Sequence, residues 1–481
     1  MSVRARAAAA FAAELVAETF ALVIAAYYSM STDATVIDPD IWWHIRVGDW
    51  IASHWSVPRV GILSQHIERP WIAYSWGFDV LVSRVHRVYG LQGIPSLTIC
   101  LQVLISFVFL VAIRRLAKGA WWSWLIAALS IYAFYVNPLR PLLLTLLFFT
   151  VELAILFDAE RRKDDRLLFW MAPLLLVWAN VHIQFVYGMF VFGLYIATRL
   201  LTKGSRATLV GALAAALVCS CIGPNWAWPY GVAINYATHP AQYQIIQEMA
   251  AINFRRPEHY VQLLLVMAAC VALGRQRRLD LFRSLLLLST AMVSFRSMRD
   301  SWFVSMAAGF VIAEAVGQAR LGDAAEDTTR RPIRPVMQYA LAAMLALGVS
   351  FGFAIQHGLS TPALIAAIDR VYPIRATQFV GDMNLPGPIY NDFNWGGFVI
   401  FNLPGQPVSV DPRVDLYGDE LVIRSIRTAN AERGWQTDPD LVRANVVLMQ
   451  RWYPLAAALA ADPHFRQVYQ DPLAVVFVRQ P

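Results

Sequence analysis

Long apolar runs alternate with short polar segments over the first 357 residues of the chain. A helix that crosses a bilayer needs about 20 mostly apolar residues. Eleven runs meet or approach that length, so the pattern predicts a mainly α-helical polytopic membrane protein with about eleven transmembrane helices. The runs lie near residues 8–30, 92–113, 120–137, 141–159, 167–181, 184–201, 207–222, 260–274, 281–295, 301–317 and 336–357.

Two segments between these runs are long. The first, 31–91, contains two amphipathic stretches that are rich in Trp and His, 42–55 and 71–88. Such stretches are expected to lie along the membrane interface rather than cross the bilayer. The second long segment, 223–259, has the same character. Both segments are predicted to lie on the same side of the membrane.

The pattern changes after residue 357, where apolar runs shorten to strand length. Strands alternating with helices predict a small α/β domain over 358–481. The remaining chain, 1–357, is the predicted membrane domain and includes the first long loop, 31–91. The predicted strands are 387–390, 397–402, 407–411, 445–449 and 474–478, and the predicted helices are 374–384, 419–433 and 454–462.

Composition supports the membrane assignment. Hydrophobic residues make up 58% of the chain and charged residues 15%, whereas a soluble domain carries about 25% charged residues. The net charge of +7 is spread over short loops and forms no continuous basic patch. A nucleic-acid partner is therefore not expected.

The distribution of Lys and Arg predicts the orientation, because cytoplasmic loops carry an excess of both. When the N-terminus with Arg4 and Arg6 is placed in the cytoplasm, every second loop is basic. Eleven crossings then place 358–481 on the outer face. The prediction is a protein of the bacterial inner membrane with a cytoplasmic N-terminus and a periplasmic C-terminal domain.

An acid pair follows the first predicted helix. Asp38 and Asp40 flank Pro39 and precede His44. Two such carboxylates can bind a divalent metal ion, or one can act as a general base. Pro39 disfavours a helix at Asp38, and side chains two apart on an extended segment point the same way. The alternative is an ordinary polar turn after a helix.

Other polar residues recur at helix ends on the predicted outer side, against the usual distribution of positive charge. Arginine suits bidentate contacts to phosphate, so the set is a candidate binding site for the phosphate of a lipid substrate. Alternatively, each residue reaches the lipid headgroups by itself. The candidate substrate-binding residues are Arg140, His182, Glu248, Arg296 and Arg299.

Two further acid groups have structural interpretations. Glu14 and Glu18 lie one turn apart in the first helix, where a hydrogen bond to a neighbouring helix is the favoured interpretation. The acidic segment 411–420 follows a predicted strand and opens a predicted helix. Capping and an ion pair with Arg413 are favoured there over a binding site.

Several motifs resemble a group of bacterial multi-pass proteins within the C-type glycosyltransferase superfold. They are Asp38-Pro39-Asp40-Ile41-Trp42-Trp43-His44, Gly48-Asp49-Trp50, Arg69-Pro70-Trp71, Arg140-Pro141, Trp178-Ala179-Asn180-Val181-His182, Arg296–Arg299, Asn391–Gly397 and Asp411–Gly418. The resemblance implies sugar transfer from a polyprenyl-phosphate-linked donor on the non-cytoplasmic face. It assigns Asp38 or Asp40 as the base or as a ligand of a divalent metal ion.

One departure from the family pattern concerns the segment before Trp76. A His-Glu pair is expected there, but this chain has Tyr74 and Ser75. The departure implies different chemistry from the relatives, or none. The leading prediction is a glycosyltransferase that acts on an envelope glycan, lipid or protein, with Asp40, Asp38 and His44 as catalytic residues.

Two alternatives remain. One is a glycan ligase or polymerase that relies on Arg and His without an essential acid. The other is a non-catalytic membrane subunit of an envelope-glycan assembly complex. A transporter ranks last, because the polar groups crowd one edge of the membrane and no inverted repeat is visible.

Overall fold

The computed structural model describes residues 3–30, 33–133, 138–201, 205–238, 249–276, 280–323 and 335–480. The chain forms two compact units. Unit 1 contains Met1–Ser31, Ser96–Ala233 and Ile246–His357, and unit 2 contains Thr32–Pro95, Ile234–Ile245 and Gly358–Pro481. This division differs from the predicted one, because the first long loop groups with the C-terminal segment rather than with the spanning helices.

Unit 1 is helical, and a helix lies within or across each of the eleven apolar runs. These helices are Val3–Met30, Gly93–Leu116, Ser123–Ala133, Leu142–Arg162, Met171–Ala179, Phe185–Leu201, Arg206–Ser220, Pro257–Gly274, Leu281–Arg296, Ser301–Asp323 and Pro335–His357. A further helix, Trp228–Thr238, lies in the second long segment. The helical character and the positions of the runs were therefore predictable from apolar length alone.

Within the described residues, five helical segments are long and apolar enough to cross a membrane. They are Trp76–Leu116, Leu142–Arg162, Pro257–Gly274, Met298–Ala319 and Met337–His357. Shorter apolar helices, among them Phe185–Leu201 and Arg206–Ser220, accompany them. The chain is thus a multi-pass membrane protein. The number of eleven crossings and the orientation of the termini stay predictions.

Buried polar contacts join the helices Val3–Met30, Gly93–Leu116 and Pro335–His357 in unit 1. The Arg114 guanidinium donates to Glu18 at 2.5 Å, and Gln338 donates to the other oxygen of Glu18 at 3.0 Å. Glu18 is fully buried and Arg114 is nearly so. The interhelix hydrogen bond that was favoured for Glu18 is confirmed. A buried carboxylate needs such partners, because an unpaired charge costs several kcal/mol, on the order of 3–5.

A set of ion pairs around Arg283 joins helix ends that are predicted to lie on the cytoplasmic side. Arg283 contacts Glu160 at 3.1 Å and is also paired with Asp280 and Glu314. Its guanidinium thus connects helices Leu142–Arg162, Leu281–Arg296 and Ser301–Asp323. The alternation of basic and non-basic loops predicts that these three helix ends lie on the same side of the membrane. Their contacts with one another agree with that prediction.

Unit 2 combines short helices with one mixed sheet. The strands are β1 Ile389–Asn391, β2 Val446–Gln450, β3 Phe465–Gln470 and β4 Ala474–Arg479, in the order β1-β2-β4-β3. β1 is parallel to β2, and the other pairs are antiparallel. The helices are Asp33–Val36, Pro39–His54, Trp76–Tyr89, Thr361–Asp369, Ile374–Asp382, Gly396–Asn402, Val414–Ala429, Pro439–Arg443 and Pro454–Ala461.

The strand predictions have mixed outcomes. β1, β2 and β4 overlap predicted strands, but the run 397–402 is wrong, because it forms a helix. That run is largely buried, so periodicity cannot separate a strand from a helix. Within 407–411 the described pairing is limited to isolated bridges of Val408 with Ser64 and Ile389. β3 was missed because half of its residues are exposed and it lacks a clear apolar alternation.

Candidate functional site

Asp38 begins the helix Pro39–His54. Its backbone is extended, and its Oδ1 accepts from the backbone N–H of Asp40 at 2.9 Å. Asp38 is therefore the N-cap, and Pro39 occupies the first helical position, where proline is favoured. The predicted extended conformation of Asp38 is confirmed. The predicted extension through Asp40 is wrong, because Pro39 starts a helix that includes Asp40.

Asp40 lies in the first turn of this helix and is partly exposed, whereas Asp38 is 6% exposed. The Asp40 Oδ1 accepts from the indole N–H of Trp43 at 3.3 Å. The two carboxylates thus have different environments. One oxygen of Asp38 is held by the helix start, and the Asp40 side chain remains accessible from outside.

His44 follows Asp40 by one helical turn, so the two side chains share a face of the helix. The His44 Nδ1 lies 2.5 Å from the Asp79 Oδ1, and both side chains are buried. Asp79 belongs to the helix Trp76–Tyr89. The two helices approach closely at Gly48, where an added Cβ would lie 2.0 Å from the Asp79 carbonyl oxygen.

Sequence reasoning did not single out Asp79. The available signal was its position on the apolar face of an amphipathic stretch, where Phe78, Asp79, Val82 and Ser83 are buried together. An acid on such a face requires a partner. The partner, His44, lies 35 positions earlier, and local pattern does not reveal that pairing.

Aromatic rings enclose His44. The Trp43 ring centroid is 3.6 Å from that of the imidazole, and Phe78 packs edge-on at 5.0 Å. Trp71 in turn packs against Trp43 at 6.3 Å. The imidazole is thereby held in one orientation by packing as well as by Asp79.

A buried polar network lies next to these rings. Arg413 donates through Nε and Nη2 to the two oxygens of Asp411, at 2.8 and 2.7 Å. The hydroxyl of Tyr417 donates to the same carboxylate at 2.6 Å. The ion pair favoured from the sequence is confirmed. Its arrangement is bidentate, which the planar fork of Arg provides and an ammonium group does not.

Arg413 also connects the network to the aromatic cluster. Its guanidinium carbon lies 4.7 Å from the centroid of Trp71, and its charge acts on the Asp79 carboxylate. The Trp71 indole donates to Asp415 at 2.9 Å. Burial raises the pKa of Asp415 to about 6, although this hydrogen bond favours the charged form.

The described residues around Asp38 and Asp40 offer few ligands for a metal ion. Among the described residues, no group of three or more His, Cys, Asp and Glu side chains is arranged to hold one. Asp38 and Asp40 supply two neighbouring carboxylates, whereas Ca²⁺ usually takes about six to eight oxygen ligands. A metal ligand role for Asp38 and Asp40 stays a prediction of the resemblance.

The candidate phosphate-binding residues belong to unit 1. The His182 Nδ1 lies 2.7 Å from the Thr145 hydroxyl, which also accepts from the Trp178 indole at 2.8 Å. His182 is buried and fixed by these contacts. Arg140 precedes the helix Leu142–Arg162 and is half-buried.

Arg296 ends its helix and is exposed, and Arg299 lies in the turn before the next helix. In the same turn, Asp300 accepts a hydrogen bond from Gln184 at 2.8 Å. This bond joins the starts of the helices Phe185–Leu201 and Ser301–Asp323, which are predicted to lie on the same side of the membrane. A common cavity for Arg140, His182, Arg296 and Arg299 stays a prediction. Glu248 lies outside the described residues.

No family model matches the chain, and no curated protein matches it. Among solved structures, the chain is similar to ArnT from Cupriavidus metallidurans, in a crystal structure bound to undecaprenyl phosphate. The alignment covers 99% of this chain and 98% of that chain, with 13% sequence identity and a TM-score of 0.45. A likeness of this degree carries no conclusion about function.

Proposed function

We propose that this protein is a glycosyltransferase of the bacterial inner membrane. It transfers a sugar from a polyprenyl-phosphate-linked donor to an envelope glycan, lipid or protein on the periplasmic face. The multi-pass character and the motifs at 38–44 and 411–418 agree with this proposal. The observation that carries it is the placement of the accessible Asp40 one turn before His44, which Asp79 fixes at 2.5 Å.

The proposed reaction has one base. An acceptor hydroxyl attacks the anomeric carbon of the donor sugar, the bond from that carbon to the phosphate oxygen breaks, and polyprenyl phosphate leaves. Asp40 takes the hydroxyl proton, because it is partly exposed at the open end of the helix. His44 is buried, so we assign it and Asp79 to positioning the first turns of this helix.

The Asp79 carboxylate also bears on the departure from the family pattern. This chain has Tyr74 and Ser75 where a His-Glu pair is expected, but Asp79 lies one turn further along. Its backbone N–H donates to the Ser75 carbonyl at 3.0 Å. This segment thus supplies a buried acid that pairs with His44, although not at the positions of the expected His-Glu pair.

The experiment compares Asp40→Asn with Asp38→Asn in cells that lack the wild-type protein. Loss of a general base lowers the rate by about 10²–10⁴-fold, so Asp40→Asn should cause the lipid-linked donor to accumulate. Mass spectrometry of membrane lipid extracts detects this accumulation for any sugar on the carrier. Asp38→Asn is the matched control, because asparagine caps a helix as well as aspartate does.

Immunoblotting establishes that both variants are present at wild-type levels. Accumulation of a polyprenyl-phosphate-linked sugar in Asp40→Asn cells alone supports the proposal. Wild-type lipid profiles in both variants would contradict it and favour a ligase without an essential acid or a non-catalytic subunit.

A further inference from the structure

Unit 2 contains an open cavity of about 660 Å³ with both polar and apolar lining residues. It lies between the last turns of the helix Val414–Ala429 and the start of the helix Pro439–Arg443, and Trp435 forms part of its wall. Its volume is within the range of about 300–1,000 Å³ that small-molecule sites occupy. None of its lining residues belongs to the proposed catalytic group.

Hydrogen bonds hold three of the lining side chains, Arg424, Thr428 and Asp438, in place. Arg424 donates to Asp440 at 2.6 Å, and the hydroxyl of Thr428 donates to Asp438 at 2.7 Å. Asp438 also accepts from the backbone N–H of Asp440 at 2.9 Å, as the cap of the second helix. Hydrogen-bonding groups held in this way lose little side-chain entropy when a ligand binds.

Trp435 supplies a fixed aromatic surface. It is half-buried and packs against the hydrophobic core of the sheet, which includes Leu441, Val447 and Leu455. An amphipathic aromatic ring of this kind offers a large contact area with few rotatable bonds. The apolar C–H face of a sugar ring is complementary to such a surface.

The charges of the lining are balanced. Three arginines, Arg424, Arg427 and Arg433, face three acids, Glu420, Glu432 and Asp438. A phosphate or another polyanion would meet repulsion from the acids as well as attraction from the arginines. A neutral ligand with many hydroxyl groups can instead donate to the acids and accept from the arginines.

We propose that this cavity binds a neutral carbohydrate, with the sugar ring against Trp435. The rim is suited to admit the ligand, because Arg427 and Glu432 are mostly exposed and form only a loose ion pair, with 3.8 Å between nitrogen and oxygen. The proposal concerns binding and does not depend on the transferase reaction.

The test uses the full chain in lipid nanodiscs and a panel of fluorescent neutral oligosaccharides of glucose, galactose, mannose and N-acetylglucosamine. Binding is measured by fluorescence polarisation for the wild type, Trp435→Phe and Trp435→Leu. Both variants preserve an apolar contact with the core, but only phenylalanine retains a ring. We expect Trp435→Leu to weaken binding by several-fold to about tenfold, the range that loss of one aromatic contact typically produces.

Trp435→Phe is expected to retain near wild-type affinity. Arg466→Gln, at an exposed position of β3 outside the cavity, is the control and should bind like the wild type. The same sugars attached to a lipid in the nanodisc form a second arm, which distinguishes a glycolipid from a free glycan. Binding in either arm that depends on the ring at 435 supports the site. No binding in either arm, or equal affinity of the wild type and Trp435→Leu for the same sugar, would overturn it.

Discussion

Replacing Asp392 with asparagine should stabilise unit 2 in a pH-dependent way. Asp392 follows β1 and is 3% exposed. Its Oδ1 accepts from the backbone N–H groups of Asn394 and Trp395, at 3.0 and 3.2 Å. Burial raises the pKa of Asp392 to about 6, against the effect of hydrogen bonds from Gln450, from these two backbone N–H groups and from Tyr453. Asparagine keeps the capping oxygen and removes the buried charge.

The magnitude follows from the shift of the Asp392 pKa from 3.8 to about 6. Each pKa unit corresponds to about 1.4 kcal/mol, so the shift corresponds to about 3 kcal/mol. Between about pH 4 and 6 the folded state binds more protons at this site than the unfolded state does. The stability of the wild type therefore falls as the pH rises through this range, whereas Asp392→Asn avoids that loss.

The assay is thermal unfolding of the full chain in detergent at about pH 4 and about pH 7.5, on either side of this range. For a unit of this size, each kcal/mol of added stability raises the Tm by about 2–4 °C. Asp392→Asn should therefore raise the Tm by roughly 6–12 °C at the higher pH. No comparable gain is expected at the lower pH, where the folded state of the wild type carries a neutral carboxyl. Asp382→Asn, at an exposed position, is the matched control. An equal shift at both pH values, or destabilisation at the higher pH, would refute the reasoning.

Two further substitutions test buried polar groups. Arg413→Met removes one partner of the buried pair with Asp411 and should lower the free energy of unfolding by about 3–5 kcal/mol. Adding Asp411→Asn should recover part of that loss in the same unfolding assay. A loss under about 1 kcal/mol for Arg413→Met alone would contradict the network. Glu152 is fully buried in the helix Leu142–Arg162, and both of its carboxylate oxygens lack a hydrogen-bond partner among the described residues. Glu152→Met should therefore raise the Tm, by an amount that corresponds to about 1–3 kcal/mol, and a lower Tm would show that the carboxyl has a stabilising contact.

The helices of unit 1 were predictable because their signal is local. An apolar run of spanning length leaves few alternatives, since the backbone in lipid must satisfy its own hydrogen bonds. Glu18 was similarly accessible to prediction, because an acid inside such a run requires a polar partner. The identity of that partner, Arg114, was not predictable, since it depends on which helices are neighbours.

The candidate site depended on contacts that sequence patterns do not contain. The pairing of His44 with Asp79 requires two helices to meet at Gly48, and Arg413 reaches Trp71 from a distant part of the chain. The helix at 396–402 illustrates the same limit. A Cβ at Gly396 would lie 2.1 Å from the Val410 carbonyl oxygen, so tertiary packing rather than local propensity determines its conformation.

The acid pair combines an observed structural role for Asp38 with the catalytic role proposed for Asp40. Asp-Pro is a common helix start, and the structure uses Asp38 in that way, through its bond to the Asp40 N–H. This bond fixes the first turn and therefore the direction of the Asp40 side chain. Asp38 thus acts on Asp40 through geometry, which asparagine preserves and alanine does not. Alanine at position 38 should cost about 1 kcal/mol of stability, whereas the loss of turnover should follow the charge at Asp40.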